Sequence, residues 1–164
     1  MIRTAREADI PQVYRLMAQL QRLAGVKVAG EAAFGQQFRL ALSDPRFRAF
    51  VAEEAGAVQG VITVWLRESL FHGGPVALVD ELIVDESSRG RGIGAQLIEH
   101  VVAYCVRLGC AEVEVSTETD NLAARRFYAR HGFVEQGVLL ERELPGREGQ
   151  SGETSEVSET SEVW

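Results

Sequence analysis

An α/β (α+β) sandwich built on a mixed sheet is the fold class this sequence predicts, with elements in the order βααβββαβαββ. Three observations predict it. Apolar residues recur at helical spacing in two early and two later stretches. Between residues 47 and 85 they fall instead into runs rich in β-branched residues and broken by turn signals. The chain of 164 residues, 46% hydrophobic and 25% charged, has the size and composition of one globular domain with a sizeable core.

Residues 2–6 read as a short first strand. Asp9 is placed to cap a helix with Pro11 in its first turn, where the missing N–H costs little. Ile10, Val13, Leu16, Met17, Leu20 and Leu23 then share one helical face, and Gly25 ends it. A second helix is predicted from Glu31 to Leu42, with Phe34, Phe38 and Leu42 one above another, stopped by Ser43-Asp44-Pro45. Phe47 to Glu54 reads as a strand and Ala55-Gly56-Ala57 as a turn. Val58 to Leu66 is the next strand, rich in Val, Ile, Thr and Trp. His72-Gly73-Gly74-Pro75 turns the chain into a third, Val76 to Asp85, whose middle is apolar enough to be central.

A polar loop leads into the longest helix, Gly92 to Leu108. Its stripe is Ile93, Leu97, Ile98, Val101, Val102, Cys105 and Leu108, and Gly109 closes it. Glu112 to Thr117 alternates as a strand. Asn121 to His131 forms a helix with Gly132 in the left-handed position beyond its end. Phe133 to Gln136 and Val138 to Leu144 complete the order as a closing hairpin around Gly137.

The domain is expected to occupy residues 1–145. From 146 to 164 five glutamates face one arginine, so the tail carries −4 of the net −7. Its repeats Glu153-Thr154-Ser155-Glu156-Val157-Ser158 and Glu159-Thr160-Ser161-Glu162-Val163-Trp164 are too few for a solenoid and too polar to bury, so disorder is expected. The negative balance speaks against a nucleic-acid partner. No apolar run approaches the ~20 residues of a membrane span, and Met1 to Arg6 lacks an apolar signal segment, so a cytoplasmic address and no membrane partner are expected. Cys105 and Cys110 have neither CxxC nor metal-ligand spacing and read as buried thiols. His72, His100 and His131 do not cluster in sequence, and no metal is expected.

Arg89-Gly90-Arg91-Gly92-Ile93-Gly94 joins a predicted strand to a predicted helix. A helix N-terminus offers unsatisfied N–H groups and about half a positive charge to phosphate oxygens. Three alternating glycines let the backbone approach closely, and two arginines add charge. A surface helix cap with solvated arginines is the plainer alternative. A dinucleotide site is another: Gly90-x-Gly92-x-x-Ala95 fits the relaxed fingerprint, with Glu112 or Glu114 at a suitable distance. Against it, the polar stretch Asp85 to Arg89 separates strand from glycine, and too little chain follows for a second nucleotide-binding half.

The segment from Val79 through Asp80-Glu81-Leu82-Ile83-Val84 to Arg89-Gly90-Arg91-Gly92-Ile93-Gly94 resembles the acetyl-CoA motif of the GNAT superfamily, with Arg89, Gly92 and Gly94 at its fixed positions. A second block, Asn121-Leu122-Ala123-Ala124-Arg125-Arg126-Phe127-Tyr128-Ala129-Arg130-His131-Gly132-Phe133, is similar to that superfamily's N-x-x-A-x-x-F-Y-x-x-x-G-F helix. Order and separation match, and with the element order the resemblance covers residues 2–144. It implies a mostly antiparallel sheet flanked by helices and an acetyl-CoA-dependent N-acetyltransferase. A homodimer is compatible with it.

By that resemblance, Leu82, Ile83 and Val84 bind the pantetheine arm and the backbone from Arg89 to Ala95, Ile93 included, takes the pyrophosphate. Asn121 lies near the pantetheine, and Tyr128 protonates the departing sulfur, with core packing beside Phe127 as the alternative. Asp80 or Glu81 would take the proton of the amine or set the field for it. Adjacent strand residues face opposite sides, so only one is expected to face the site, and the resemblance favours Asp80. Val13-Tyr14-Arg15-Leu16, Leu42-Ser43-Asp44-Pro45 and Leu70-Phe71-His72 resemble aminoalkylphosphonate N-acetyltransferases in particular. Leu78 departs from them where they carry a glutamate. A small primary amine is the expected acceptor. A protein or peptide acetyltransferase and a non-catalytic CoA-binding sensor stand as alternatives.

Overall fold

The computed structural model describes residues 1–24, 29–142 and 144. Strands β1 (Ile2–Thr4), β2 (Phe47–Glu54), β3 (Ala57–Ser69), β4 (Gly74–Val84) and β5 (Glu112–Val115) form one sheet in sequence order. Every pairing is antiparallel except β4 with β5, which the intervening helix makes parallel. Helices α1 (Ile10–Ala24) and α2 (Glu31–Ser43) cover one face, α3 (Ile93–Leu108) and α4 (Leu122–Arg130) the other.

Alternation along the strands sorts the core into two clusters. Ala49, Val51, Val61 and Ile83 meet Val13, Leu16 and Phe38 on the α1–α2 side. Phe50, Ile62, Val64 and Val79 meet Leu97, Ile98 and Val101 on the α3 side. Within the α3 stripe, Leu97, Ile98, Val101 and Cys105 are buried, whereas Leu108 is exposed.

Two expectations change, and two fall where the structure describes nothing. Asp9 ends a 3-10 turn (Glu7–Asp9) that runs into α1, and its carboxylate accepts from Arg6 N at 2.8 Å and from both Arg3 terminal nitrogens at 2.7 and 2.8 Å. It therefore ties β1 to the turn and does not cap α1. Gly25, expected to end α1, and the tail 146–164 lie outside the described residues. The closing hairpin is not formed among the described residues. Residues 133–142 carry no strand, and Val134, Val138, Leu139 and Leu140 are exposed. An alternating pattern makes a strand only where an edge receives it, and β5 is only four residues long.

Candidate active site

The N-terminus of α3 is built on two left-handed glycines, Gly90 at φ +75° and Gly92, the N-cap, at φ +79°. A Cβ at either would meet nothing within 4 Å. The backbone angle requires glycine, and the bare main chain stays open to a ligand. The helical ladder starts with Gln96 N donating to Gly92 O at 3.0 Å. The N–H groups of Ile93, Gly94 and Ala95 lie ahead of it and, with the helix dipole, suit phosphate oxygens. Gly94 backs onto the ring of Phe127, 3.6 Å from where a Cβ would sit.

The loop ahead of this cradle is fixed by α1. Gln12, Arg15, Gln19 and Arg22 form a polar stripe at helical spacing. Gln12 Oε1 accepts from Val58 N at 2.8 Å, and Arg15 donates to Val58 O at 3.2 Å. Gln19, buried, donates to Asp85 Oδ2 at 3.2 Å and accepts from Glu86 N at 3.1 Å. Arg22 pairs with Glu86 at 3.5 Å. Asp85 also accepts from the Ser87 hydroxyl and N–H, which with Gln19 and Arg15 hold its carboxyl below the ordinary range against some burial. Buried Ser88 donates to Gln59 Oε1 at 2.6 Å. Gln19 and Gln59 went unnoticed in the sequence. The signal for Gln19 was a polar residue among the buried positions of an amphipathic helix.

The two loop arginines differ. Arg89 Nε donates to Val84 O at 3.2 Å, whereas Arg91 pairs with Glu54 at the end of β2 at 2.8 Å. That second pair is exposed and weak, so Arg91 is easily drawn to another anion.

β4 pairs with β5 only from Val76 to Val79. Beyond that point the β5-facing edge of Asp80 to Val84 has no strand partner among the described residues, so the backbone groups that alternate residues direct to that edge are left without a ladder. On its other edge, β4 bulges. Ile62 faces Leu82 and Val64 faces Val79, so Thr63 alone opposes Asp80 and Glu81. Val79 and Leu82 both pack on the α3 side, which turns the two residues between them to the α1–α2 face. Glu81 accordingly meets Thr63, whose neighbours Ile62 and Val64 point the other way.

Strict alternation does not survive an extra residue, so strand parity no longer decides which of Asp80 and Glu81 faces the site. Burial raises both carboxyls above their ordinary values. For Glu81 the Thr63 hydrogen bond works against that rise, and the charge of Asp80 adds to it.

Tyr128 packs between Phe127 and Phe133, with ring centroids at 5.2 and 5.5 Å, in the cluster that contains Leu82 and Val115. Burial raises its phenol, and its hydroxyl has no hydrogen-bond partner among the described residues. Asn121 caps α4, its side chain accepting from Ala124 N at 3.1 Å. The three histidines lie apart: His72 is near Glu112, His131 near Glu99, and His100 against Phe50.

The chain thus carries a bare helix N-terminus suited to phosphate, an unpartnered strand edge beside it, and three titratable side chains, Asp80, Glu81 and Tyr128, whose protons are held more tightly than usual. A model of the acetyltransferase (GNAT) family matches residues 13–133. The aminoalkylphosphonate N-acetyltransferase of Salmonella typhimurium is 30% identical over 134 residues, 82% of this chain and 84% of that protein. Glucosamine 6-phosphate N-acetyltransferase 1 of Oryza sativa is 32% identical over 142 residues, 84% of this chain and 82% of that one. A solved structure of a Bacillus halodurans protein described as a transcriptional regulator shares the fold at a TM-score of 0.80, with 22% identity over 88% of this chain and 99% of that one. The chain belongs to the GNAT acetyltransferase family and is an acyltransferase, and acetyl-CoA is that family's co-substrate.

Proposed function

We propose that this enzyme acetylates a primary amine of a small molecule by direct attack in a ternary complex with acetyl-CoA. One juxtaposition carries the reading. Between Asp80 and Ala95 the chain brings together a carboxylate pair in a bulge, an unpartnered strand edge and a bare helix N-terminus.

Acetyl-CoA supplies a thioester whose carbonyl an amine attacks as a thiolate leaves. Leu82, Ile83 and Val84 are suited to hydrogen-bond an amide-bearing arm as an added strand would. Gly90 to Ala95, with Arg89 and Arg91, are suited to hold a pyrophosphate, and Asn121 to touch the arm with the amide nitrogen its cap leaves over. An alkylammonium has a pKa of about 10, so it must lose a proton before it attacks, and Asp80 and Glu81 are the acceptors. Tyr128, kept protonated by burial, returns a proton to the sulfur. No enzyme nucleophile and no metal takes part. The proposed setting is the cytoplasm, in keeping with the free thiols of Cys105 and Cys110.

Support for a small acceptor comes from the near-full-length likeness to the aminoalkylphosphonate and glucosamine 6-phosphate enzymes. Leu78, opposite Trp65 on β3, differs from the phosphonate pattern and keeps amino sugars and diamines in view. The test is thiol release from acetyl-CoA with 2-aminoethylphosphonate, glucosamine 6-phosphate, putrescine and a peptide with a free N-terminus. Turnover of a small amine is expected. Turnover of the peptide alone would make it a protein acetyltransferase, and acetyl-CoA binding without turnover would make it a sensor.

A further inference from the structure

Thr63 is 4% exposed, yet it carries a hydroxyl in an otherwise apolar strand centre flanked by Ile62 and Val64. Its surroundings explain the exception. The N–H of Glu81, displaced from the ladder by the bulge, donates to Thr63 Oγ1 at 3.2 Å. The hydroxyl has one proton of its own, and it gives that to Glu81 Oε2. Backbone and side chain of one residue are thereby held by a single neighbour. Asp80, the other half of the pair, is exposed and has no hydrogen-bond partner among the described residues.

We infer that Thr63 is a positioning residue, which fixes Glu81 rather than Asp80 as the carboxylate that takes the proton from the attacking amine. The inference rests on the amine-acetylation reading above. A base must lie within reach of its proton in one geometry, and a carboxylate tethered at both its N–H and its Oε2 meets that demand where a free one does not. A hydroxyl donating to a carboxylate also favours the ionised form, the form that works as a base.

Asp80 lies beside Glu81 on its own strand, and β3 contributes Thr63. The described titratable groups of α1 and α2 are Tyr14, turned onto Phe34 at 5.5 Å, Arg15, which meets Asp85 at 3.5 Å, Arg22, which meets Glu86 at 3.5 Å, Glu31, and Arg39, which meets Glu7 at 3.4 Å. Burial and Asp80 push the Glu81 carboxyl up and Thr63 pulls it down.

Thr63→Val removes both hydrogen bonds at almost constant volume, and Thr63→Ser retains them. The titration of the Glu81 carboxyl is read by carbon-13 NMR in the full chain without ligands. Turnover against pH is read with the amine that the panel selects. In Thr63→Val the NMR midpoint should move to higher pH while Thr63→Ser stays near wild type. The acid limb of kcat should follow to higher pH, and the plateau should fall several-fold because the untethered carboxylate is no longer held in one geometry.

If Thr63→Val does not fold, Thr63→Cys, whose thiol is a weak donor and acceptor, serves in its place. An unmoved Glu81 midpoint, or a Ser variant that behaves like Val, overturns the inference. A midpoint that moves while the kinetic limb stays, or a Glu81→Gln enzyme that keeps the limb, shows instead that proton transfer through Glu81 is wrong.

Discussion

In the proposed mechanism Tyr128 and the two carboxylates of the bulge carry opposite proton tasks, and burial raises the phenol and both carboxyls. Raising a phenol keeps its proton available, so Tyr128→Phe should preserve packing and acetyl-CoA affinity while turnover falls by about 10²–10⁴. Replacing acetyl-CoA with an acyl donor on a more acidic thiol should recover much of that loss, and a change of only a few-fold would leave the proton to solvent. Asp80→Asn has a different signature. It removes a negative charge that raises Glu81, so the acid limb should shift to lower pH with the plateau retained. Collapse of the limb in Asp80→Asn would make Asp80 the base. Both acids are candidates from the sequence because they precede the strand end that leads into the glycine motif. Thr63 could not, because in one dimension it is one more β-branched residue in a strand, and only the register of β3 against β4 gives its hydroxyl a partner.

Elements are joined here by a few polar ties whose loss should be measurable. Asp9 holds Arg3 of β1 and the N–H of Arg6 together in a largely buried cluster. Arg3, then burial and the Arg6 N–H, act on its carboxyl, and the net effect is to hold it below the usual range. That contribution is present above the ordinary carboxylate value and is lost as pH falls through the lower folded-state one. Asp9→Asn should cost about 3 kcal/mol in urea unfolding at neutral pH, with the gap to wild type narrowing in acid. A pH-independent gap would reduce Asp9 to a packing residue. The strands and helices themselves were legible because their apolar periods are long and uninterrupted. Asp9 misled because the rule for a helix cap does not reveal a partner arginine six positions upstream, on β1. The region after Gly132 misled because alternation is evidence of a strand only where a sheet edge awaits it.

Across the whole molecule, the order of elements through α4 followed from sequence, as did the glycine loop at the start of α3. What could not be read is where the sheet departs from regularity: the bulge that turns Asp80 and Glu81 to one face, and the parting of β4 from β5 after Val79. Both departures depend on pairing between distant strands, and both fall at the cleft. Gln19 and Arg22 of the α1 stripe hold Asp85 and Glu86 in the loop between the carboxylate pair and the α3 N-terminus. The most direct test of this arrangement is isothermal titration of acetyl-CoA into the wild-type chain and Gly92→Glu. A carboxylate at that left-handed position would face the phosphates and strain the turn, so one-to-one binding should disappear while the far-ultraviolet circular dichroism of the fold is retained. Equal affinity in the two proteins would contradict acetyl-CoA binding at the α3 N-terminus.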